Sequence, residues 1–246
     1  MLRLLTYNIR VGGVNRVAPL ARVISACGPD IVLFQEATRP DVIAQLAAQT
    51  GMGEWRAYRR QSLAFMSRVP VANARWIKPR LSHHAFIEVV PAGERIRLYG
   101  LHLSAVHAAW TERRRRYELK ALLRSVARHQ HGFHALAGDF NTLAPGAVLD
   151  VRRLPLRLRP FVWMSGGRIK WRTIQTVLDA DYVDAFRLKH PDEPGLTMPA
   201  AAPHVRLDYV FVPAAFKDRI VSCDIVRQPD TSIASDHLPV LAELKT

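Results

Sequence analysis

Two short polar motifs, each beside an apolar run, constrain this chain more than any other feature. Gly-Asp-Phe-Asn at residues 138–141 follows a largely apolar run at 133–137, and Ser-Asp-His at 235–237 precedes another at 238–244. Side chains alternate along an extended chain, so the aspartate and asparagine of the first motif would project to the same side. A carboxylate and an amide held in this way can bind a metal ion or its water and steady a phosphate oxygen, while Asp-His offers a further ligand or a proton-handling imidazole. The motifs therefore predict a metal-assisted hydrolase of phosphoesters.

The same arrangement, an apolar run with a polar side chain at its end, recurs along the chain. Taken alone, Glu36 would more often be a surface residue and His102 a structural histidine. In series they predict one site, because a sheet protein presents its chemistry on a rigid scaffold at the strand ends. The candidate residues are Asn8, Glu36, His102, Asp139, Asn141, Asp208, Asp236 and His237.

Apolar periodicity and turn residues predict more strands than helices. The predicted strands cover residues 2–8, 31–34, 55–58, 63–66, 72–77, 85–90, 96–101, 133–137, 207–212, 220–226 and 239–244, and the predicted helices cover 16–26, 41–49, 111–131 and 173–179. Residues 143–171 show no such pattern, which is typical of a functional loop or a mobile insertion. We expect an α/β (α+β) four-layer sandwich, with two packed mixed β-sheets flanked by helices, in a single domain over residues 1–246.

The charge balance favours polyanionic partners. Lys and Arg number 35 against 21 Asp and Glu, which gives a net charge of +14; simple solubility is the alternative reading of that excess. Cys27 and Cys223 do not have metal-ligand spacing, so we expect two buried free thiols. No apolar stretch reaches transmembrane length, and because the first strand starts at residue 2 we expect no signal peptide. The default expectation is a cytoplasmic monomer without an obligate protein partner.

The ordered motifs resemble those of the endonuclease/exonuclease/phosphatase superfamily, which has the deoxyribonuclease I-like fold. They are Thr-Tyr-Asn-Ile-Arg at 6–10, Phe-Gln-Glu at 34–36, Gly-Leu-His-Leu at 100–103, Gly-Asp-Phe-Asn at 138–141, Arg-Leu-Asp-Tyr at 206–209 and Ser-Asp-His-Leu-Pro at 235–239. Gly-Leu-Thr-Met-Pro at 195–199 also stands where such proteins often carry a similar segment. The superfamily includes DNA nucleases, RNA deadenylases, sphingomyelinases and inositol-phosphate phosphatases, so the motifs indicate the fold and not the substrate.

The resemblance implies a metal site. Glu36 would be the principal ligand of a divalent ion, with Asn8 and Asp236 near the same ion or a second one. Mg²⁺ suits such an all-oxygen set, and Mn²⁺ is a plausible substitute. Asp139 would orient or deprotonate the attacking water, and Asn141 would hold a phosphate oxygen.

The resemblance also implies roles for the histidines. His237, oriented by Asp208, would act as a base or stabilise the charged phosphorane, and His102 would contact the phosphate or assist the leaving oxygen. In deoxyribonuclease I-like members the histidine matching His102 has a carboxylate partner, but residues 59–63 here contain no acid. Residues 102–105 also depart from the tyrosine and Pro-Asn pattern of the abasic-site branch, so the chain is more similar to the histidine-bearing branch.

Basic residues suggest where substrate would bind. The segment 152–172 carries seven Arg or Lys residues and no acid, with aromatic residues between them. Such a mixture is typical of nucleic-acid binding; core capping and membrane contact are competing uses. The arginines at 113–116 are expected to be solvated. The substrate-binding candidates are Arg10, Arg168, Lys170 and Trp171.

Three functions remain open at this point. The leading one is a Mg²⁺-dependent phosphodiesterase, a nuclease that hydrolyses DNA by in-line attack of an activated water. The second keeps the chemistry but acts on a small-molecule or lipid phosphoester, as a phosphatase or phospholipase does. The third is a catalytically idle nucleic-acid-binding protein on the same fold, against which the complete set of site residues argues.

Overall fold

The described residues of the computed structural model form two six-stranded sheets. The structure describes residues 1–79, 82, 84–105, 108–129, 132–147, 149–154, 156–166 and 171–246. The strands are β1 Leu2–Asn8, β2 Ile31–Gln35, β3 Glu54–Arg56, β4 Ala64–Ser67, β5 Val71–Ile77, β6 Phe86–Pro91, β7 Arg97–His102, β8 His134–Asp139, β9 Tyr182–Asp184, β10 Asp208–Pro213, β11 Ile220–Ile225 and β12 Val240–Leu244. The helices are α1 Val17–Cys27, α2 Pro40–Thr50, α3 Ala109–His129, α4 Arg159–Met164, α5 Thr173–Leu178, α6 Ala185–Lys189 and α7 Thr231–Ala234.

Three apolar clusters create four layers. The first lies between the sheets and includes Leu33 and Val210, one from each sheet. The second joins helices α1 and α2 to the outer face of one sheet, with Phe34 at its centre, and the third joins α3 and α5 to the outer face of the other. Strand β2 is buried on both faces, which explains why residues 31–34 are apolar without alternation. The predicted class, two packed mixed sheets flanked by helices, is confirmed.

The two sheets share one pairing plan. The first has the order β11-β12-β1-β2-β4-β3 and the second the order β5-β6-β7-β8-β10-β9. Within each, the central pair is parallel (β1 with β2, and β7 with β8), whereas the other described pairs are antiparallel. Parallel neighbours end at the same edge of a sheet. Each sheet therefore delivers two consecutive strand ends to one edge.

Pairing register brings the polar motifs to those edges. His102 pairs with Asp139 across β7 and β8, and Asp208 at the start of antiparallel β10 pairs with the same Asp139. In the other sheet, Asn8 of β1 pairs with the last residue of β2, directly before Glu36. Strand β12 runs back along β1, so the Asp-His motif that precedes it lies beside the end of β1.

One glycine is needed at the site edge. A Cβ atom on Gly138 would lie 2.0 Å from the carbonyl oxygen of Leu101 in the neighbouring strand, and the residue has φ of 152°. A contact of that length is a steric clash. The glycine before Asp139 therefore permits the close approach of β7 and β8 at the point where they present their polar side chains.

Several short elements differ from the sequence prediction. Residues 143–171 were predicted without regular structure, but the described part contains α4 and two 3₁₀ turns, at Val151–Arg153 and Leu156–Leu158. Pro160 lies in the first turn of α4, where a missing N–H is tolerated. Strand β9 and helices α6 and α7 were not predicted, because three to five residues are too few to establish a period. Helix α3 was predicted over 111–131, of which residues 130 and 131 lie outside the described residues.

Cys27 and Cys223 are buried free thiols, as predicted. In the described part of the chain, we find no helix with the combination of length and apolar character that crossing a bilayer requires.

Candidate active site

One oxygen atom of Asp139 lies at the centre of the polar cluster. Its Oδ2 accepts hydrogen bonds from Nδ2 of Asn8 at 3.0 Å and from Nδ2 of Asn141 at 3.1 Å. Nε2 of His102 lies 3.7 Å away and Nε2 of His237 lies 4.0 Å away. Burial raises the pKa of Asp139, and the facing histidines oppose the rise without cancelling it. A nearly inaccessible carboxylate thus faces four nitrogens contributed by both sheets.

The half of the site that belongs to the first sheet is built around Glu36. This residue has φ of 57°, a left-handed conformation that a side-chain-bearing residue adopts only at a cost. Its carboxylate accepts hydrogen bonds from the amide of Val11 at 2.6 Å and from Nδ2 of Asn8 at 3.3 Å. Asp236 lies nearby, with Oδ2 3.6 Å from Nε of Arg10 and 30% of its side chain exposed. These carboxylates face solvent in part.

The half of the site that belongs to the second sheet holds a buried ion pair. Nδ1 of His237 lies 2.9 Å from Oδ2 of Asp208. Burial would lower the pKa of His237, but the neighbouring carboxylates, Asp208 first, raise it to about 10. The imidazole is therefore protonated at neutral pH and directs a second N–H towards Asp139.

His102 has a hydroxyl partner that the sequence analysis missed. Oγ of Ser62 lies 2.5 Å from Nδ1 of His102 and accepts a hydrogen bond from the amide of Glu36 at 3.1 Å. Residues 59–63 contain no acid, but Ser62 in this segment contacts the His102 ring in place of a carboxylate. The hydroxyl fixes the orientation of the imidazole without adding negative charge, and it links the two halves of the site.

A second serine, Ser235, joins the Asp-His motif to the end of β1. Its Oγ donates to the carbonyl oxygen of Asn8 at 2.6 Å and accepts from the amide of His237 at 3.3 Å. Thr197, in the segment 195–199, accepts from the amide of Leu207 through Oγ1 at 3.1 Å. The Thr197 carbonyl accepts at 2.8 Å from the amide that follows His237. The segment 195–199 therefore connects the start of β10, where Asp208 lies, to the loop that carries His237, the partner of Asp208.

The four substrate-binding candidates have different positions. Arg10 lies at the rim, close to Asp236 as described above, with 57% of its side chain exposed. Trp171 is half-buried and packs against the apolar cluster that contains Leu143, two residues after the Gly-Asp-Phe-Asn motif. Arg168 and Lys170 lie outside the described residues. The roles proposed for all four stay predictions.

The interpretation of the arginine run 113–116 as solvated is wrong for Arg115. This side chain is completely buried, with Nη1 donating to the carbonyl oxygen of Ser104 at 2.7 Å and Nη2 donating to Glu112 at 3.1 Å. Burial favours the neutral form of Glu112, but the charge of Arg115 and several hydrogen bonds hold its pKa below the usual value. A counterion one helical turn away explains how a guanidinium can be buried here.

The carboxylate of Glu112 also connects three parts of the chain behind the site. It accepts from Oγ1 of Thr142 at 2.8 Å, from the amide of Arg172 at 2.7 Å and from the amide of Thr173 at 2.7 Å. Thr142 directly follows Asn141, and Thr173 begins α5. Glu112 thus fastens both ends of the segment 143–171 to the start of α3.

Two groups of side chains offer ligand atoms for a metal ion. Asp139, Asp208 and His237 each bring one ligand atom within 4.8 Å of the others, but the His237 Nδ1 atom already pairs with Asp208. The carboxylates of Glu36 and Asp236 and the Oδ1 atom of Asn8 are oxygen donors. Oδ1 of Asn8 accepts a hydrogen bond from the amide of Arg10 at 3.0 Å, whereas the two carboxylates face solvent in part. Hard divalent cations prefer oxygen ligands and retain water, so the second group fits such an ion better.

Comparisons with known proteins agree with this fold. A family model described as "Endonuclease/Exonuclease/phosphatase family" matches residues 5–237. An AP endonuclease from Archaeoglobus fulgidus has a TM-score of 0.75 at 18% identity, and a 3′-5′ exonuclease (NExo) from Neisseria meningitidis has 0.72 at 21%, each covering 100% of both chains. A humanized TDP2 from D. rerio has 0.69 at 17%, covering 100% of this chain and 99% of the other. A comparison with curated protein sequences returned no match.

At such identities the solved structures establish the fold, whereas the family model establishes the family. Its match begins before Asn8 and ends at His237, so it includes every residue of the polar cluster described above. The chain belongs to the endonuclease/exonuclease/phosphatase family.

Proposed function

We propose that this protein is a divalent-metal-dependent phosphodiesterase that hydrolyses DNA by in-line attack of a water molecule. The observation that carries the proposal is the Oδ2 atom of Asp139, which faces two amide groups at 3.0 and 3.1 Å and two imidazoles at 3.7 and 4.0 Å. A buried carboxylate surrounded by donors can take a proton while the same donors stabilise charge on a phosphate.

Asp139 acts as the general base. Burial raises its pKa, which makes the carboxylate a stronger proton acceptor than an exposed aspartate. The amide groups of Asn8 and Asn141 hold it in place, and Asn141 also donates to the carbonyl oxygen of Leu103 at 3.0 Å. As the water oxygen bonds to phosphorus, its proton passes to Asp139, and the leaving oxygen departs with the electron pair of the broken P–O bond and takes up a proton from solvent water.

His237 stabilises the negative charge that develops on the phosphate. Its pKa of about 10 keeps it protonated at neutral pH, and Asp208 fixes the ring through Nδ1. This favours the charge-stabilising role over the role of a base. His102, which is held by a neutral hydroxyl in place of a carboxylate, contacts the phosphate.

Glu36, with Asn8 and Asp236, would hold the metal, and Mg²⁺ is the ion proposed, with Mn²⁺ as a substitute. Bound there, a divalent ion would neutralise phosphate charge and polarise the phosphorus centre. The three side chains contribute oxygen donors from two strand ends and from the loop that precedes β12.

The choice of DNA rests on charge and on the similar structures. The net charge of +14 favours a polyanion, and the basic segment 152–172 follows the Asp139 motif in the chain. One similar structure is described as a 3′ phosphatase, NExo, bound to a product DNA hairpin, and another as an AP endonuclease. Phosphate attraction without a base-reading element predicts weak sequence preference.

A plasmid assay tests this function. Purified protein with Mg²⁺ should convert supercoiled plasmid to nicked circles, EDTA should stop the reaction, and a linear end-labelled duplex should separate internal from terminal cleavage. Intact plasmid, together with hydrolysis of phosphomonoesters or lipid phosphodiesters, would replace the nuclease proposal.

A lipid phosphodiester is the second candidate substrate. The observation that favours it is a set of strongly exposed apolar side chains, Leu156, Trp163 and Met164, in the segment that follows the Asp139 motif. Hydrolysis of a phospholipid headgroup by the same residues would need no change in the chemistry described above.

A further inference from the structure

The segment around α4 exposes three large apolar side chains. Leu156 is 75% exposed, Trp163 is 79% exposed and Met164 is 64% exposed. We call these three residues the α4 surface. Single exposed apolar residues are common, but three of this size within nine positions mark an interaction site. Helix α4 packs against the preceding 3₁₀ turns, so Leu156 and the helix belong to one local unit.

Exposed arginines lie beside Leu156 of the α4 surface in the chain. Arg152, Arg153 and Arg157 are exposed, and the sequence from 151 to 166 contains no acid. Arg153 has an exposed partner in Asp150 at 3.6 Å, a pair too solvated to neutralise the region. Whatever covers the surface must therefore combine apolar groups with negative charge.

The α4 surface lies at the same end of the molecule as the active site. Ser165, just after α4, accepts a hydrogen bond from the amide of Ala109 through Oγ at 3.0 Å, and the Trp110 ring meets the Phe161 ring edge-on with centroids 6.0 Å apart. Both contacts are with the start of α3. That start follows the end of β7, where His102 enters the site.

We propose that the α4 surface docks the protein on the interface of an anionic lipid bilayer. Leucine and methionine side chains enter the acyl boundary, tryptophan prefers the headgroup level, and arginines pair with anionic headgroups. Single-stranded nucleic acid fits less well, because Leu156 and Met164 have no aromatic face on which a base can stack. Docking would hold the catalytic end of the molecule near the membrane, whichever phosphoester is hydrolysed.

Vesicle binding by the full chain tests the proposal. We expect co-sedimentation with vesicles of equal parts phosphatidylglycerol and phosphatidylcholine, and weak binding to phosphatidylcholine alone. The combined variant Trp163→Ser with Leu156→Ser should lose about tenfold or more in vesicle affinity. The control, Leu188→Ser with Val221→Ser, removes apolar side chains that are 43% and 42% exposed elsewhere, leaves the net charge unchanged and should bind like the wild type.

Fluorescence separates insertion from attraction by charge alone. The wild type should show a blue shift of tryptophan emission on anionic vesicles, and Trp163→Phe should keep the binding but lose most of the shift. Part of the binding should survive about 1 M NaCl, where the Debye length is about 3 Å. Plasmid nicking, measured without vesicles, reports on the proposed function independently.

Three results would overturn the docking proposal. They are absence of vesicle binding, equal loss in the test and control variants, and binding that disappears entirely in high salt without a shift of emission. If labelled oligothymidylate binds the wild type and the Trp163→Ser, Leu156→Ser variant loses that binding while vesicle binding is unaffected, the surface belongs to single-stranded nucleic acid.

Discussion

The two halves of the site are built on the same pairing plan but in different surroundings. In the first sheet, the strand-end carboxylate Glu36 and the neighbouring Asp236 are partly exposed. In the second, Asp139, Asp208 and His237 are almost inaccessible, with side-chain exposures of 1%, 2% and 5%. Burial shifts the pKa of a group, whereas exposure leaves oxygen donors open to an ion and its water. In the proposed function, the partly exposed carboxylates of the first sheet would bind the metal and the buried groups of the second would handle protons.

The largest expected effect comes from the buried half. We predict that Asp139→Asn lowers kcat by about 1,000-fold or more, because a general base and the central acceptor of the site are lost together. Plasmid nicking measures the rate, and circular dichroism checks the fold. The matched change Asp192→Asn, at an exposed turn, should leave activity as it is. Turnover close to that of the wild type in Asp139→Asn would refute the assignment.

The exposed half should respond to metal concentration. Glu36→Gln removes a charged oxygen ligand, so we predict that half-maximal activity requires at least about tenfold more Mg²⁺. Saturating metal should recover part of the rate, which Asp139→Asn should not allow. Titration of Mn²⁺ by electron paramagnetic resonance gives the affinity directly. An unchanged affinity would remove Glu36 from the metal site.

Removing the charge of Asp208 tests its effect on the pKa of His237 in the buried half of the site. In the proposed function His237 acts as an imidazolium, so activity should be present below its pKa of about 10 and be lost as the pH rises through that value. In Asp208→Asn the pKa falls, because the carboxylate that raises it most is neutral. We predict that the alkaline limb of the kcat profile moves down by at least about one pH unit, with a loss of at least about twofold at pH 9, the midpoint that a fall of one unit would give. A limb that does not move would mean that another group titrates there.

The smallest effect is expected at the junction between the halves. Ser62→Ala removes the hydroxyl that orients His102, and we predict a loss of about three- to tenfold in kcat with little change in KM, because the hydrogen bonds of this hydroxyl with His102 and with the amide of Glu36 are both lost. Ser62→Asp tests whether a carboxylate in this position serves better, since it would place a negatively charged acceptor beside Nδ1 of His102. A Ser62→Ala variant with wild-type kcat would show that the orientation of His102 does not limit the rate.

The strand ends could be predicted from the sequence because they carry two signals at once. Each combines an apolar run with a polar residue at a fixed place, and the order of the motifs then identifies the family. At Gly138 the sequence motif and the structure also agree, because the motif contains a glycine at a position where the structure tolerates no Cβ atom.

What was missed depends on contacts between distant segments. Ser62 and His102 are 40 positions apart, and a serine carries no pattern that marks it as a histidine partner. The burial of Arg115 depends on Ser104 and Glu112, and four consecutive arginines resemble a solvated surface until the helix is packed. The short elements β9, α6 and α7 are fixed by their neighbours, since three to five residues have little intrinsic preference.

The Glu112 carboxylate has a consequence for how this protein can diversify. It accepts hydrogen bonds from Thr142, Arg172 and Thr173, so both ends of the segment between them are held at one carboxylate. The entropy of closing such a loop grows only slowly with its length. We therefore expect changes of length in the exposed part of residues 143–171 to be tolerated while Glu112 holds both ends of the segment, so that this segment can vary without displacing the end of β8.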